Sequence, residues 1–279
     1  MTITTRAIRQ LTRKNKLGWI GMLVIAVFVL AAVFAPVISP YDPLEQNLRA
    51  RLSPPSERHL LGTDDLGRDL LSRIIHGTRV SLLTGIFVVG ATTLIGITLG
   101  SIAGYYGGRV DDIIMRATDV VLAFPGIILA LTISGMLGPG LFNVMLALVI
   151  TGWAGECRVM RGQVLAIKQR DFVEGARAVG LGDVKIIVRH ILPNSLAPIV
   201  VMATLGMGGI ILAAAALSFL GLGAQPPVPE WGAMLNAGRH HLLTSPHLSI
   251  FPGVAIMLVV LGFNFLGDAL RDVLDPRNQ

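Results

Sequence analysis

Long apolar windows constrain the fold of this chain more than any other feature of its sequence. Each window is near the roughly 20 residues that an α-helix needs to cross a bilayer. They cover Gly18–Ser39, Val80–Gly108, a stretch from about Ile113 to a Gly/Pro-rich turn at 135–140, about Leu141–Gly155, Ser195–Gly223 and Leu248–Gly267. The windows predict an all-α polytopic membrane protein with six transmembrane helices.

The composition agrees with lipid as the solvent. Only 14% of the 279 residues are charged and 53% are hydrophobic, whereas a soluble domain carries about 25% charged residues. The formal net charge is +6, but the basic residues flank apolar windows and no basic stripe with interleaved aromatics occurs, so we expect no nucleic-acid partner. The one cysteine, Cys157, excludes an intrachain disulfide and a cysteine-based zinc site.

The distribution of basic residues predicts which side each loop occupies. With six spans both termini share a side, and 16 of the 23 Lys and Arg residues fall there. The positive-inside rule therefore places both termini in the cytoplasm. Six arginines between Arg49 and Arg79 oppose this assignment, but the length of their loop weakens their influence. The first apolar window is longer than the roughly 7–15 residues of a signal-peptide core, so we expect an uncleaved anchor.

Several residues inside the windows predict how the helices pack. Four glycines spaced by four residues, from Gly96 to Gly108, line one helix face and allow close approach of another helix. Pro125 and Pro252 each remove a backbone donor, so each is expected to kink its helix. Asp268 is expected at the cytoplasmic interface, and no window contains the chain of buried carboxylates that a proton-coupled pump needs.

No catalytic or nucleotide-binding motif occurs in the sequence. There is no HExxH, no GxSxG and no P-loop. His240, His241 and His247 cluster between the last two windows, but no acidic residue accompanies them, so we expect no metal site.

The charged segment from Glu156 to Asn194 is regularly patterned. Asp171 is predicted to cap a short helix that ends at Gly180. One face of that helix carries Phe172, Ala176 and Val179, and another carries Glu174 and Arg177. Such a short helix is marginal in water, so it needs a groove on this chain or on a partner.

A second short helix is predicted to follow at once. Gly182 and Asp183 begin it, and Pro193 ends it. Its apolar side consists of Val184, Ile187, Val188 and Ile191. Two short amphipathic helices between membrane spans indicate a docking element for a soluble partner.

This segment resembles the EAA loop of ABC importer permeases, in which Glu-Ala-Ala is followed by a glycine and then by Ile-x-Leu-Pro. The matching positions are Glu174-Gly175-Ala176, Gly180 and His190-Ile191-Leu192-Pro193. Gly175 and His190 depart from the pattern, and Gly175 weakens the helix by up to about 1 kcal/mol relative to alanine.

Further motifs resemble the dipeptide, oligopeptide and nickel group of these permeases, and most closely the C-type permeases of the dipeptide and glutathione branches. They are the stretches Leu61–Asp69, Phe219–Pro227, Pro229–Gly232 and Gly267–Pro276. The resemblance covers nearly the whole chain.

The resemblance implies the type I ABC importer permease fold in a bacterial inner membrane. It implies a second, different permease, two cytoplasmic ATPase subunits that bind ATP and Mg, and an extracytoplasmic substrate-binding protein. No catalytic, cofactor or metal residue is implied in this chain. The residues expected to couple to the ATPases are Asp171, Phe172, Glu174, Gly175, Ala176, Arg177, Gly180 and Pro193. Those expected at the extracytoplasmic gate, on the binding-protein side, are Asp64, Asp65, Arg68, Gln225, Glu230 and Trp231.

The expected function is alternating-access import of dipeptides or oligopeptides, driven by separate ATPases. Nickel or another metal chelate and glutathione are alternative cargoes. A stand-alone channel or secondary transporter, and an intramembrane enzyme, are alternatives of other classes. Residues 1–78 are expected to form the N-terminal tail, first span and outer loop, and residues 79–279 a five-helix core that carries the EAA loop at about 156–194.

Overall fold

The computed structural model describes residues 16–274, so the basic residues of the tail before Lys16 and the end of the motif at Asp275-Pro276 lie outside it. Within this range the chain is organised as a bundle of helices. The α-helices are α1 (Lys16–Ile38), α2 (Leu70–Tyr106), α3 (Gly108–Leu122), α4 (Gly126–Leu137), α5 (Leu141–Ile167), α6 (Asp171–Ala178), α7 (Asp183–Ile186), α8 (Leu192–Phe219), α9 (Trp231–Gly238) and α10 (His247–Leu274). A π-helical turn at Ile187–Ile191 joins α7 to α8, and short 3-10 turns lie at Leu48–Ala50 and Arg239–His241.

Five long apolar segments of the described chain can cross a membrane: α1, α2, α5, the run from α7 to the end of α8, and α10. The bent pair α3 and α4 makes a sixth if it is one span. The prediction of an all-α polytopic membrane protein is confirmed, with five spans or, counting the bent pair as one, six, and several helices are longer than the apolar windows. Helix α2 begins at Leu70 rather than Val80, and α5 continues to Ile167 rather than Gly155.

The predicted kink at Pro125 is a complete break. Helices α3 and α4 meet at 88°, and Pro125 is the N-cap of α4. Proline has no N–H to give, while its carbonyl accepts the N–H groups of Ile128 and Leu129 at 3.0 and 3.1 Å and so begins the new helix. Pro252 behaves differently, because α10 runs through it without interruption.

The glycine row on α2 packs against α5, as its spacing predicted. A Cβ atom added at Gly100 would lie 2.5 Å from the carbonyl oxygen of Cys157, and one at Gly104 would lie 2.8 Å from the Cβ of Val164. These distances leave no room for a side chain. Gly108 does not belong to the row: α2 ends at Tyr106, and Gly108 begins α3 with φ +53° and open space around it.

The remaining long helices pack around α10. Helix α1 crosses it where Gly21 faces Gly262, since a Cβ at Gly21 would lie 2.7 Å from the Gly262 carbonyl oxygen. Gly208 on α8 meets Val260 in the same way, at 3.3 Å from its carbonyl oxygen. Small residues therefore set the helix spacing, as is usual where lipid supplies no hydrophobic force between helices.

Candidate functional site

The short helix α6 lies against the ends of α2 and α5. Its buried residues are Val173, fully buried, and Ala176, 7% exposed. They join a core of Tyr105, Met160, Val164, Ile186, Ile191 and Ile199. The predicted apolar face was wrong in part: Phe172 and Val179 are 46% and 83% exposed, and only Ala176 of that set points inward.

The two ends of α6 were predicted with different success. Asp171 is the first helical residue rather than the cap, because Arg170 has the extended N-cap conformation and caps without its side chain. The carboxylate of Asp171 still lies in the first turn of α6, where its negative charge interacts favourably with the positive end of the helix dipole. Gly180 ends the helix as predicted, with φ +83°. The N–H of Leu181 donates to Ala176 at 3.1 Å and that of Gly180 to Arg177 at 2.9 Å, the Schellman pattern.

Polar contacts tie the loop to the end of α2. The Tyr105 hydroxyl donates to the carboxylate of Asp183 at 2.7 Å. The Arg177 guanidinium lies over the Tyr105 ring, 5.2 Å from its centre. The Lys168 ammonium donates to the carbonyl oxygen of Gly104 at 2.8 Å. Of these contacts only the one between Arg177 and Tyr105 involves α6 itself, so α6 meets α2 through the apolar core and through this pair.

Pro193 does not end the second helix as predicted. It lies in the first turn of α8, and the chain is helical from Asp183 to Phe219. The π-helical turn before it widens the backbone, and the N–H of Leu192 bonds to the carbonyl of Ile187. This widening offers room for the proline ring, which clashes with the carbonyl four residues back in a regular α-helix.

The loop presents an apolar surface that no described residue covers. We call it the loop face, and it consists of Phe172, Val179, Val184 and Val188, which are 46%, 83%, 69% and 54% exposed. Glu174 is exposed on the same short helix. The residues predicted on the apolar side of the second helix therefore do not all point inward. Ile191 is fully buried, while Val184 and Val188 face outward.

At the opposite end of the bundle, residues 39–69 form a folded cap around Asp64. Its carboxylate accepts the backbone N–H of Leu66 at 2.9 Å and of Arg68 at 3.0 Å. It also binds the Arg68 guanidinium at 2.7 Å and lies 3.4 Å from that of Arg73. Asp64 and both arginines are buried. Asp64 and Arg68, both predicted at the gate, are therefore paired inside the cap, whereas Asp65 is 40% exposed at its side chain.

The motif at 229–232 is also mostly internal. Glu230 is the N-cap of α9 and accepts the N–H groups of Gly232 and Ala233, each at 2.9 Å. Burial raises the pKa of Glu230, while these two donors act against that rise. Trp231 is fully buried and donates to the carbonyl of Ile74 at 3.1 Å. Glu230 and Trp231 therefore hold the segment at 229–232 against α2 and α9 rather than present a surface.

A cavity of about 380 Å³ opens beside this cap. Four of the six predicted gate residues, other than Glu230 and Trp231, line it: Asp64, Asp65, Arg68 and Gln225. His240 and His241 line it too, but His247 is buried against Thr63, with its Nε2 atom 3.4 Å from the Thr63 carbonyl oxygen. Across residues 16–274 no three metal-ligating side chains converge.

Two ion pairs and one carboxylate on α3 and α5 were missed at the sequence level. Arg161 binds Asp111 through two hydrogen bonds of 2.5 Å, and Arg158 pairs with Asp119. Glu156 is 8% exposed within α5, and its Oε2 atom has no hydrogen-bond partner among the described residues. The expectation that the spans lack a chain of buried carboxylates overlooked this one, because the window was ended at Glu156. The available signal was that the helical pattern continues beyond Glu156, so this charged residue lies inside the helix and does not mark its end.

Five long apolar segments and a bent pair, with a structured loop at one end and a folded cap at the other, define a multi-span membrane protein. The chain belongs to the family of binding-protein-dependent transport system inner membrane components, whose model matches residues 96–279. It is therefore a multi-pass inner-membrane permease of the ABC importer class. Residues 4–55 match the N-terminal transmembrane domain of oligopeptide transport permease C.

Curated relatives cover almost the whole chain. The dipeptide transport system permease protein of Alkalihalophilus pseudofirmus is 49% identical over 271 residues, which are 97% of this chain and 89% of the relative. The glutathione transport system permease protein of Pectobacterium atrosepticum is 49% identical over 256 residues, which are 91% and 85% of the two chains. The predicted resemblance is thus confirmed.

A solved structure supports the fold. A chain in the solved structure of the MetNI methionine ABC transporter, in an inward-facing conformation, is similar to this one. The match covers 72% of this chain and 95% of that chain. The TM-score is 0.57 at 18% identity. This likeness shows the type I permease fold alone, and it carries no inference about cargo.

Proposed function

We propose that this chain is one of two different permeases in an importer of short peptides, powered by separate ATPases that bind ATP and Mg. The loop face carries this proposal, because it is an apolar surface on a well-anchored loop that projects from the end of the bundle. Two relatives of 49% identity are named for dipeptide and glutathione transport. Both cargoes are short peptides, which favours peptides over nickel chelates.

The loop face would fit a groove on an ATPase subunit. Phe172 and Val179 would enter the groove as apolar anchors, and Glu174 and Arg177 would give polar contacts at its edge. Movement of the ATPase would then act on Val173 and Ala176, which pack against Met160 and Val164 on α5. The loop would in this way convert ATP-driven closure into a change of access across the membrane.

The other proposed partners follow from the two ends of the bundle. With both termini in the cytoplasm, the loop face meets the ATPases, and the cap and its cavity lie outside. Asp65 and Gln225, which are accessible at the cavity, are the residues placed to meet a binding protein or cargo. Asp64, Arg68, Glu230 and Trp231 would support that surface from within.

Purification in mild detergent from the native host, followed by mass spectrometry, tests this assembly. We expect two ATPase subunits and a second permease to remain bound, and ATP-dependent uptake of dipeptides after reconstitution with the binding protein. A chain that purifies alone and still moves solute in liposomes would instead be a channel or secondary transporter. Uptake of a nickel chelate but no peptide would assign the cargo to metal.

A single substitution tests the coupling role of α6. Glu174 is exposed and Glu174→Lys reverses its charge without filling any buried space. We expect ATP hydrolysis that no longer drives uptake, with insertion and thermal stability unchanged. Normal uptake by Glu174→Lys in the assembled transporter would show that this side of α6 does not contact the ATPase.

A further inference from the structure

Two buried arginines line the cavity beside the cap. Arg68 and Arg73 are 7% and 5% exposed, and Asp64 lies between them on the same wall. The Asp64 carboxylate is fully engaged, because it accepts two backbone N–H groups and lies against both guanidiniums. Two buried positive charges therefore share one buried negative charge.

These arginines have hydrogen-bond donors that the cap does not use. The Nε atom of Arg68 donates to Asp64 at 2.7 Å, but within residues 16–274 neither of its Nη atoms makes a hydrogen bond, and Nη2 lies 3.7 Å from Asp65. Arg73 donates through Nη1 to the Pro43 carbonyl at 2.9 Å, and its Nη2 atom makes no hydrogen bond in the same range. Buried donors without a partner are costly, and a guanidinium fork matches a carboxylate. This wall therefore fits a carboxylate that enters the cavity.

The same cavity is lined by groups of other kinds. Asp65, 40% exposed at its side chain, supplies an accessible carboxylate. Asn236 lines the cavity from α9, and its side-chain amide makes no hydrogen bond in the described part of the chain. Such an amide can both donate to and accept from a peptide bond. His240 accepts at Nε2 from the Nε atom of Arg239 at 3.1 Å, so its ring is neutral here.

The size and the rest of the lining favour a small organic ligand. The cavity has a volume of about 380 Å³, near the lower end of the roughly 300–1,000 Å³ of small-molecule sites. Its apolar lining includes Leu70, Val228, Met234 and Leu248. An inorganic anion would leave this apolar wall and the free amide without a partner. A short peptide has a carboxylate, an ammonium, an amide and side chains within one small volume.

We propose that this cavity binds one short peptide by its two charged termini and so gives the permease a cargo site of its own. Arg68 takes the terminal carboxylate with Arg73 beside it, and Asp65 takes the terminal ammonium. The assignment rests on the proposed peptide cargo. In the orientation proposed above, the site lies outside, where a binding protein releases its cargo.

Direct binding of a labelled dipeptide tests the site. Tritiated alanyl-phenylalanine is added to the complete transporter in lipid nanodiscs, with neither the binding protein nor ATP. We expect saturable binding. We also expect much weaker competition by N-acetyl-alanyl-phenylalanine and by alanyl-phenylalanine amide, because each lacks one terminal charge. Equal competition by both blocked peptides would overturn the proposal.

Filling the cavity tests where the dipeptide binds. Ala237 is exposed on α9 and lines the cavity, so Ala237→Trp occupies it without removing any charge. We expect loss of dipeptide binding at an unchanged melting temperature. Leu243→Trp is the matched control, since Leu243 is 99% exposed and does not line the cavity, and it should bind normally. Wild-type binding by Ala237→Trp would contradict the proposed location.

Charge variants test the two ends of the ligand. Asp65→Asn should raise the Kd of the dipeptide about fivefold, the effect of one exposed ion pair, and should not change that of the N-acetylated dipeptide. Arg68→Lys keeps the charge but loses the fork, so we expect a Kd more than about tenfold higher. Arg68 also holds Asp64, so a melting curve accompanies that variant. If Arg68→Lys melts early, Asp65→Asn decides, and an unchanged Kd there would refute the ammonium contact.

Two further outcomes separate this site from a docking surface and from the proposed function. If Ala237→Trp and Asp65→Asn weaken capture of the binding protein but leave dipeptide binding unchanged, the cavity receives the binding protein and the cargo site is wrong. If the wild-type complex imports the dipeptide yet binds none without the binding protein, the cargo site fails and the importer assignment stands. If the complex neither assembles with ATPases nor moves peptides, the proposed function itself fails.

Discussion

Gly100 shows how a single missing side chain sets the distance between two membrane helices. The carbonyl oxygen of Cys157 would lie 2.5 Å from a Cβ atom there, and the Cβ of Met160 would lie 2.7 Å away. Neither neighbour can give way easily, because Cys157 contributes backbone and Met160 is fully buried. The close packing of α2 on α5 depends on this site more than on any exposed glycine of the same helix.

We therefore predict that Gly100→Ala destabilises the chain by about 1–3 kcal/mol, the usual cost of overpacking. The measurement is the melting temperature of the detergent-solubilised protein, read by size-exclusion chromatography after heating. Gly90→Ala is the matched control, since Gly90 lies on the same helix with nothing within 4 Å of an added Cβ. Equal melting of the two variants would mean that α2 and α5 are free to separate.

At the scale of the element, α6 is a short helix with two distinct surfaces. Val173 is buried completely in the core below it, while Val179, at its C-terminal end, is 83% exposed. The two residues have the same side chain and lie six positions apart in the loop, but their surroundings differ. Substitutions at the two positions therefore separate the anchoring of the loop from its docking.

We predict that Val179→Asp lowers the recovery of ATPase subunits with the purified permease and leaves its melting temperature unchanged. Val173→Asp, in contrast, buries a charge in the loop core and should lower the melting temperature. The comparison needs one affinity purification and one melting curve per variant. Full ATPase recovery with Val179→Asp would remove the C-terminal end of α6 from the docking surface.

The helices could be predicted from the sequence because the bilayer imposes long apolar segments, and Gly180 because only glycine readily adopts its backbone conformation. The orientation of α6 could not be predicted, because Phe172 and Val173 are adjacent apolar residues and only tertiary packing determines which of the two is buried. Pro193 was misplaced because a local rule about proline took no account of the π-helical turn before it. Asp119 and Arg158 are 39 residues apart, and no spacing rule brings them together.

For the whole molecule, the bundle separates two surfaces to opposite ends. The loop face lies between the C-terminal end of α5 and the N-terminal end of α8. The cap and its cavity lie at the other end of the bundle, near the C-terminal end of α8. The excess of Lys and Arg on the side of the termini favours a cytoplasmic loop face. Every proposal about ATPases and a binding protein depends on this orientation, so it is the property of the whole chain that most needs a direct test.

Two exposed positions and a buried native cysteine make that test simple. Leu243, 99% exposed between α9 and α10, should be outside, and Val179 should be in the cytoplasm. We predict that an impermeant maleimide labels Leu243→Cys in intact spheroplasts and labels Val179→Cys only after permeabilisation. The wild-type chain is the control, because Cys157 is fully buried and should react with neither protocol. The reverse pattern would place α6 outside, where no ATPase could reach it, and the coupling mechanism would have to be abandoned together with the proposed import.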